Sequence, residues 1–313
     1  MEYRRVGSSG LKVSAFSFGG WLTLGGSVER GLSEALVRAA IDLGINFIDL
    51  ADVYSGGEAE RIVGTTIRGL GADRTRLVLS SKVFFPMSDD PNDRGLSRKH
   101  IFTSIDRTLH RLGTDHLDLY FCHREDPETP LEETAQAMTD LVRQGKILYW
   151  GTSEFSPRTL LKLQAITRIR NLVAPTVEQP QYSLLHRGIE KRLLPVARRL
   201  GTGIVVWSPL AGGLLTGKYE DGVPAGSRAA ATRFLRRDLN EANNQKVKKL
   251  KALALDLGCT PAQLALAWIL RRREVSSVIL GATSVEQLTS NVEALQLQGT
   301  NEAWEELERI FPR

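Results

Sequence analysis

Asp49, Tyr54, Lys82 and His123 are ionisable side chains that fall at or just beyond the ends of successive strand-like segments. Together they suit the reduction of a carbonyl group. Arrival of a hydride leaves an alkoxide, which needs a proton from a group whose pKa is not far above neutral. A free tyrosine titrates near ~10 and therefore needs help. An ammonium such as Lys82 lowers a phenol by stabilising phenolate, and Asp49 would hold that ammonium in place. His123 could polarise the carbonyl oxygen and share its proton with Tyr54. Singly, each has a plainer account: Asp49 as a turn or helix cap, Tyr54 as an anchor for Ser55-Gly56-Gly57, Lys82 as a solvent-facing lysine, His123 as a hydrogen-bonded neighbour of Arg124 and Glu125. Their joint placement favours a site.

Convergence of residues so far apart requires a scaffold that brings strand ends to one rim. Eight short β-rich runs are spaced along the chain: 16–20, 47–50, 77–82, 117–122, 147–152, 176–179, 204–207 and 278–281. Amphipathic helix-length stretches lie between them, for example near 32–43, 58–68, 98–112 and 131–144. Strict β/α alternation implies a parallel sheet, and eight units fit a closed (β/α)8 TIM barrel. Before the first run, Tyr3–Val6 and Leu11–Ser14 flank Gly7-Ser8-Ser9-Gly10, an N-terminal β-hairpin signal expected to cap the barrel bottom. No GxGxxG follows the first strand, which removes the strongest sign of a dinucleotide-binding Rossmann domain. Residues 1–313 are expected to form one barrel domain, with Ser208 to Asn240 as a long ligand-covering loop on the active face.

The segment from Gly44 to Gly57, GINFIDLADVYSGG, resembles the signature of the aldo-keto reductase family, in which an Asp and a Tyr five residues later are catalytic. The resemblance covers nearly the whole chain, through Lys82, the strand end Asp118–Arg124 that carries His123, Gly151-Thr152-Ser153, and Gln179-Pro180-Gln181-Tyr182. Within the family it is similar to the branch of voltage-gated potassium-channel β subunits and their bacterial relatives, through Tyr149–Glu154, Trp207–Tyr219 and Gly281-Ala282-Thr283. Many channel subunits carry Asn where this chain has His123.

The resemblance implies NADPH-dependent reduction of aldehydes and ketones by an alcohol dehydrogenase (NADP+)-type enzyme. Ser153 and Gln179 would hold the nicotinamide carboxamide and Trp207 would stack on its ring, with Gly20, Trp21 and Asp49 beside it. Family members often have Asn where Glu154 stands. Ser208, Pro209, Leu210 and Gly213 would run along the pyrophosphate, Lys218 and Arg228 would grip the 2′-phosphate, and Gly281, Thr283, Gln287 and Asn291 would complete the adenosine end. A neighbouring adenine contact often made by Glu falls at Ser290. Trp21, Tyr54, Phe84 and His123 would line the substrate mouth. The alternative that the resemblance leaves open is an NADPH-binding, redox-sensing regulatory subunit with slow reductase activity. The β/α pattern alone also leaves open a phosphate-binding isomerase or lyase barrel.

Composition agrees with a folded cytoplasmic protein: 42% hydrophobic and 25% charged residues, with a net charge of +5 from 41 basic and 36 acidic side chains. The basic residues are scattered, which argues against nucleic acid and for an anionic ligand. Arg271-Arg272-Arg273 is expected to be a solvated helical face. Cys122 and Cys259 lack metal-ligand spacing, and neither a metal site nor a disulfide is expected. The N-terminus lacks a signal-peptide core, and no apolar run is long enough to span a membrane. A homo-oligomer, tetramer or larger, is implied by the branch resemblance.

Overall fold

The computed structural model describes residues 1–26, 28–220, 222–224, 227–231, 237–297 and 299–313; the side chains of Arg228 and Ala231 fall outside that description. The chain starts with an antiparallel hairpin, β1 (Tyr3–Arg5) and β2 (Lys12–Ser14), registered with Tyr3 opposite Ser14. Asn46 ties it to the barrel: its amide N donates to Ser14 Oγ at 3.0 Å, and its Oδ1 accepts from Ser14 N at 2.7 Å.

Eight parallel strands follow: β3 (Phe16–Gly19), β4 (Phe47–Asp49), β5 (Val78–Val83), β6 (Leu117–Cys122), β7 (Ile147–Ser153), β8 (Val177–Gln179), β9 (Gly203–Val206) and β10 (Val275–Leu280). They pair in sequence order, and β10 closes on β3 to form a barrel. The expected strands are all present, with ends shifted by a residue or so, except that β10 begins three residues before the expected run. Helices α1 (Arg30–Asp42), α2 (Glu58–Gly69), α3 (Arg98–Leu112), α4 (Leu131–Arg143), α5 (Pro157–Ile169), α6 (Ile189–Leu200), α8 (Glu241–Asp256), α9 (Pro261–Leu270) and α10 (Val285–Val292) pack outside, after a short α7 (Arg228–Ala231), and α11 (Asn301–Ile310) ends the chain.

Strand side chains alternate between faces with a period of two. Outward residues such as Ile48, Leu79, Tyr120, Trp150 and Ile204 join the helices in the main core. Inward residues from the lower strand positions, Phe47, Val78, Leu119, Phe121, Val177, Val205 and Ile279, form a second core with Val6 and Val13 of the hairpin. The hairpin therefore plugs the barrel foot, and the inner core reaches only partway up. Helix packing is tight where α2 meets α3: a Cβ on Gly64 would lie 2.2 Å from the Leu112 carbonyl oxygen.

The expected long loop follows β9. It contains a 3-10 segment, Ala211–Thr216, and α7; residues 221, 225, 226 and 232–236 lie outside the described residues. Among the described residues no single helix is long and apolar enough to cross a membrane.

Candidate active site

The alternation that buries Phe47, Val78, Leu119 and Val177 continues upward to Asp49, Ser80 and Lys82, His123, and Gln179. These are inward positions at the C-terminal ends of β4, β5, β6 and β8, with Ser153 in the same place on β7. Below them the barrel is apolar. At their own level it is polar, so one rim gathers the groups that the sequence spreads over 130 residues. Ladder bonds continue past the strand ends, from Leu50 N to Ser80 O at 3.1 Å, Asp52 N to Lys82 O at 3.2 Å and His123 N to Val83 O at 3.0 Å, which fixes these segments' height.

Lys82 is fully buried, and its Nζ donates to three oxygens: Asp49 Oδ2 at 2.6 Å, Leu50 O at 2.7 Å and Tyr54 OH at 3.1 Å. All three ammonium hydrogens thus have acceptors. Asp49 accepts in addition from Ser80 Oγ at 2.8 Å and Gln179 Nε2 at 2.9 Å, both on Oδ1. The Tyr54 and His123 rings meet edge to face with centroids 5.9 Å apart. Among the described residues His123 Nδ1 is buried without a hydrogen-bond partner. The structure brings the four expected residues into one contact cluster.

Their electrostatics differ in one respect from the sequence expectation. Burial raises the Tyr54 phenol, and the Lys82 ammonium pulls it back only in part, so the phenol lies above its ordinary pKa instead of below it. Its proton is therefore in place at neutral pH. Burial alone would depress Lys82, but the Asp49 charge and the hydrogen bonds to Asp49 and Tyr54 outweigh it and hold the ammonium protonated. Burial, then the cations Lys82 and Arg124, keep His123 well below the usual imidazole range, so it is neutral.

The mouth is aromatic. Trp21 meets Trp207 edge-on at 6.3 Å, and Trp207 Nε1 donates to Glu154 Oε1 at 2.8 Å. Glu154 Oε1 also accepts from Gln181 N at 2.6 Å, so the carboxylate that stands where Asn is common braces two segments of the rim. Phe85 lies against His123, with centroids at 4.9 Å, and Phe84, the residue expected at the mouth, packs on Phe85 at 5.3 Å. Sequence reasoning also missed Ser80, which the two-residue period from Lys82 identifies, and Arg124, for which there was no periodic signal. Five non-glycine residues with positive φ sit just after strand ends of this rim: Leu22 (62°), Ser55 (50°), Glu154 (59°), Ser208 (53°) and Ala211 (48°). Such conformations are costly and cluster where surrounding structure enforces a site.

The residues expected at a cofactor are placed as follows. Gly20 donates its amide to Asp49 O at 3.0 Å. Ser153 Oγ donates to Gln179 O at 2.9 Å. Ser208 to Gly213, including Pro209 and Leu210, form a turn in which Ser208 Oγ accepts from Gly212 N at 3.2 Å. Lys218 crosses over this turn: a Cβ on Gly213 would lie 2.8 Å from Lys218 Nζ. Gly281 follows β10, and Thr283 donates through N and Oγ1 to Gln287 Oε1 at 3.1 and 3.0 Å. Asn291 is buried one turn on, and Ser290 is taken by Gln263 Nε2, which donates to its carbonyl at 2.9 Å. The Arg228 side chain lies outside the described residues. At the opposite end of the barrel, Arg271, Arg272 and Arg273 line a groove of about 1070 Å3 with Arg5, Arg198 and Arg313. Arg271 pairs with Glu308 at 3.3 Å and Arg272 with Glu190 at 3.0 Å, so this run is more than a plain solvated face.

A closed eight-stranded barrel with a hairpin plug and this rim has direct relatives. Residues 15–311 match the Aldo/keto reductase family, and the chain belongs to that family. It is 44% identical over 306 residues to a putative voltage-gated potassium channel subunit beta of Schizosaccharomyces pombe, covering 95% of this chain and 88% of the relative. It is 43% identical to a probable voltage-gated potassium channel subunit beta of Oryza sativa subsp. japonica and 42% identical to one of Arabidopsis thaliana, in each case over 302 residues, 95% of this chain and 92% of the relative. Family and branch are those expected from the sequence.

Proposed function

We propose that the protein is an NADPH-dependent aldo-keto reductase that converts aldehydes and ketones to alcohols, with residues 1–313 acting as one reductase unit and Tyr54 as proton donor. The observation that carries this reading is the buried chain Asp49–Lys82–Tyr54, with Nζ 2.6 Å from the carboxylate and 3.1 Å from the phenol, beside a neutral His123. A bound nicotinamide would supply hydride. Ser153, Gln179 and Trp207 would hold its ring end, Ser208, Leu210 and Gly213 its pyrophosphate, Lys218 and Arg228 its 2′-phosphate, and Gly281, Thr283, Gln287 and Asn291 its adenosine. The residues present fit such a group: the Lys218 amine lies over the unsubstituted Gly213, where cation and close backbone suit a phosphate.

At the reacting centre Tyr54 gives its proton to the carbonyl oxygen as negative charge develops there. Lys82 then stabilises the phenolate left behind, and Asp49 holds Lys82 in register. His123, neutral, offers one N–H to the same oxygen. Stopped-flow mixing of the protein and NADPH with 4-nitrobenzaldehyde is expected to show fast multiple turnovers, and no turnover across a panel of aldehydes would overturn the proposal. The relatives' names, as channel β subunits, favour one second reading: a regulatory subunit docked on a partner. Such a subunit would hold NADPH as a homo-oligomer, and its signature would be a single turnover followed by slow cofactor release.

A further inference from the structure

Arg124 follows His123 directly, at the mouth of the proposed site, yet the reaction described above gives it no task. Its Nη1 donates to the His123 carbonyl, and to Ser153 Oγ at 3.4 Å. Its guanidinium carbon lies 5.6 Å from the centroid of Phe85, whose ring touches His123. Among the described residues, no acceptor faces Nε or Nη2, and no carboxylate pairs with this cation. Acids on the neighbouring segments have partners elsewhere: Glu125 accepts from Ser156 N, Asp126 from Leu96 N at 2.7 Å, and Glu154 from Trp207 Nε1 at 2.8 Å. Two contacts and an aromatic face thus hold a half-buried guanidinium still, while its Nε–Nη2 edge stays free. That edge is the one that binds a carboxylate through two parallel hydrogen bonds.

We infer that Arg124 is a specificity-determining residue that binds the carboxylate of a substrate whose carbonyl lies at Tyr54 and His123, so that the preferred substrates are oxo-acids with an aromatic or apolar spacer. The spacer would lie against Phe85. The substrate class rests on the reductase reading; the anion subsite itself does not.

The test compares 4-formylbenzoate with its methyl ester, which keeps the aldehyde and the ring and lacks the negative charge. Wild-type protein is expected to favour the acid at least ~10-fold in kcat/KM, the scale of a charge-assisted hydrogen-bonded pair. In Arg124→Gln that ratio falls at least ~10-fold, mainly through KM, and Arg124→Lys recovers part of it. Calorimetric titration with 4-methylbenzoate, an unreactive acid, reads the subsite without turnover and is expected to show at least ~10-fold weaker binding to Arg124→Gln. An acid-to-ester ratio near one in wild type, with both compounds turned over, overturns the subsite and leaves the reductase. Arg124-dependent binding of 4-methylbenzoate with neither aldehyde reduced supports the subsite and overturns the proposed reaction.

Discussion

Lys82→Met removes the ammonium on which the proposed site depends and keeps a flexible apolar stem of similar length. The change leaves Asp49, 2% exposed, without its cation, and leaves Leu50 O without its donor. Breaking a buried ion pair by removing one partner costs about 3–5 kcal/mol. Ser80 Oγ and Gln179 Nε2 still donate to Asp49, so the loss should sit near the lower end, about 3 kcal/mol. Asp49→Asn costs somewhat less, about 2–3 kcal/mol, because Lys82 keeps two of its three acceptors. The double variant Asp49→Asn/Lys82→Met contains neither charge and should lose about 2 kcal/mol, far less than the two single losses together. Urea denaturation of the four proteins, followed by circular dichroism, measures the cycle. Additive losses, or a cost below about 1 kcal/mol for Lys82→Met, would refute the claim that these charges exist only as a pair.

Two further outcomes follow from the same geometry. Burial lifts the Glu178 carboxyl to about 8, held by Thr152 Oγ1 and Phe155 N. A carboxyl raised above its unfolded value stabilises the fold below that value and loses the contribution as pH rises to about 8, so wild type should weaken relative to Glu178→Gln by up to ~1.4 kcal/mol per pH unit between pH ~5 and ~8 in denaturation curves. A constant difference across that range would contradict the assignment. If Lys218 over Gly213 grips a 2′-phosphate, Lys218→Ala should raise the NADPH dissociation constant about 10-fold while moving that of NADH little, as read by tryptophan quenching; equal effects on both would remove that role.

Much of this was legible before the fold was seen, because a parallel barrel enforces two rules. Side chains alternate every residue, and strand ends share one rim. Asp49, Lys82 and His123 obey both, and so does Ser80, which the same alternation would have found. Phe85 and Arg124 lie beyond the strand ends, where the period of two stops and only the turn decides which way a side chain points. The direction of the Tyr54 shift was misread because a neighbouring lysine suggests acidity, whereas the burial that outweighs it comes from segments remote in sequence. The 3-10 segment after β9 escaped notice because Gly212 and Gly213, at φ 66° and 98°, interrupt any helical pattern there.

Tyr54→Phe tests the central claim most directly, since it deletes one oxygen and leaves the ring, the Asp49–Lys82 pair and the proposed cofactor contacts in place. In single-turnover stopped flow with saturating NADPH and an aldehyde, the account predicts unchanged quenching of tryptophan fluorescence on cofactor binding and a loss of at least ~100-fold in the rate of NADPH oxidation. An oxidation rate in the variant equal to that of the wild type would contradict it.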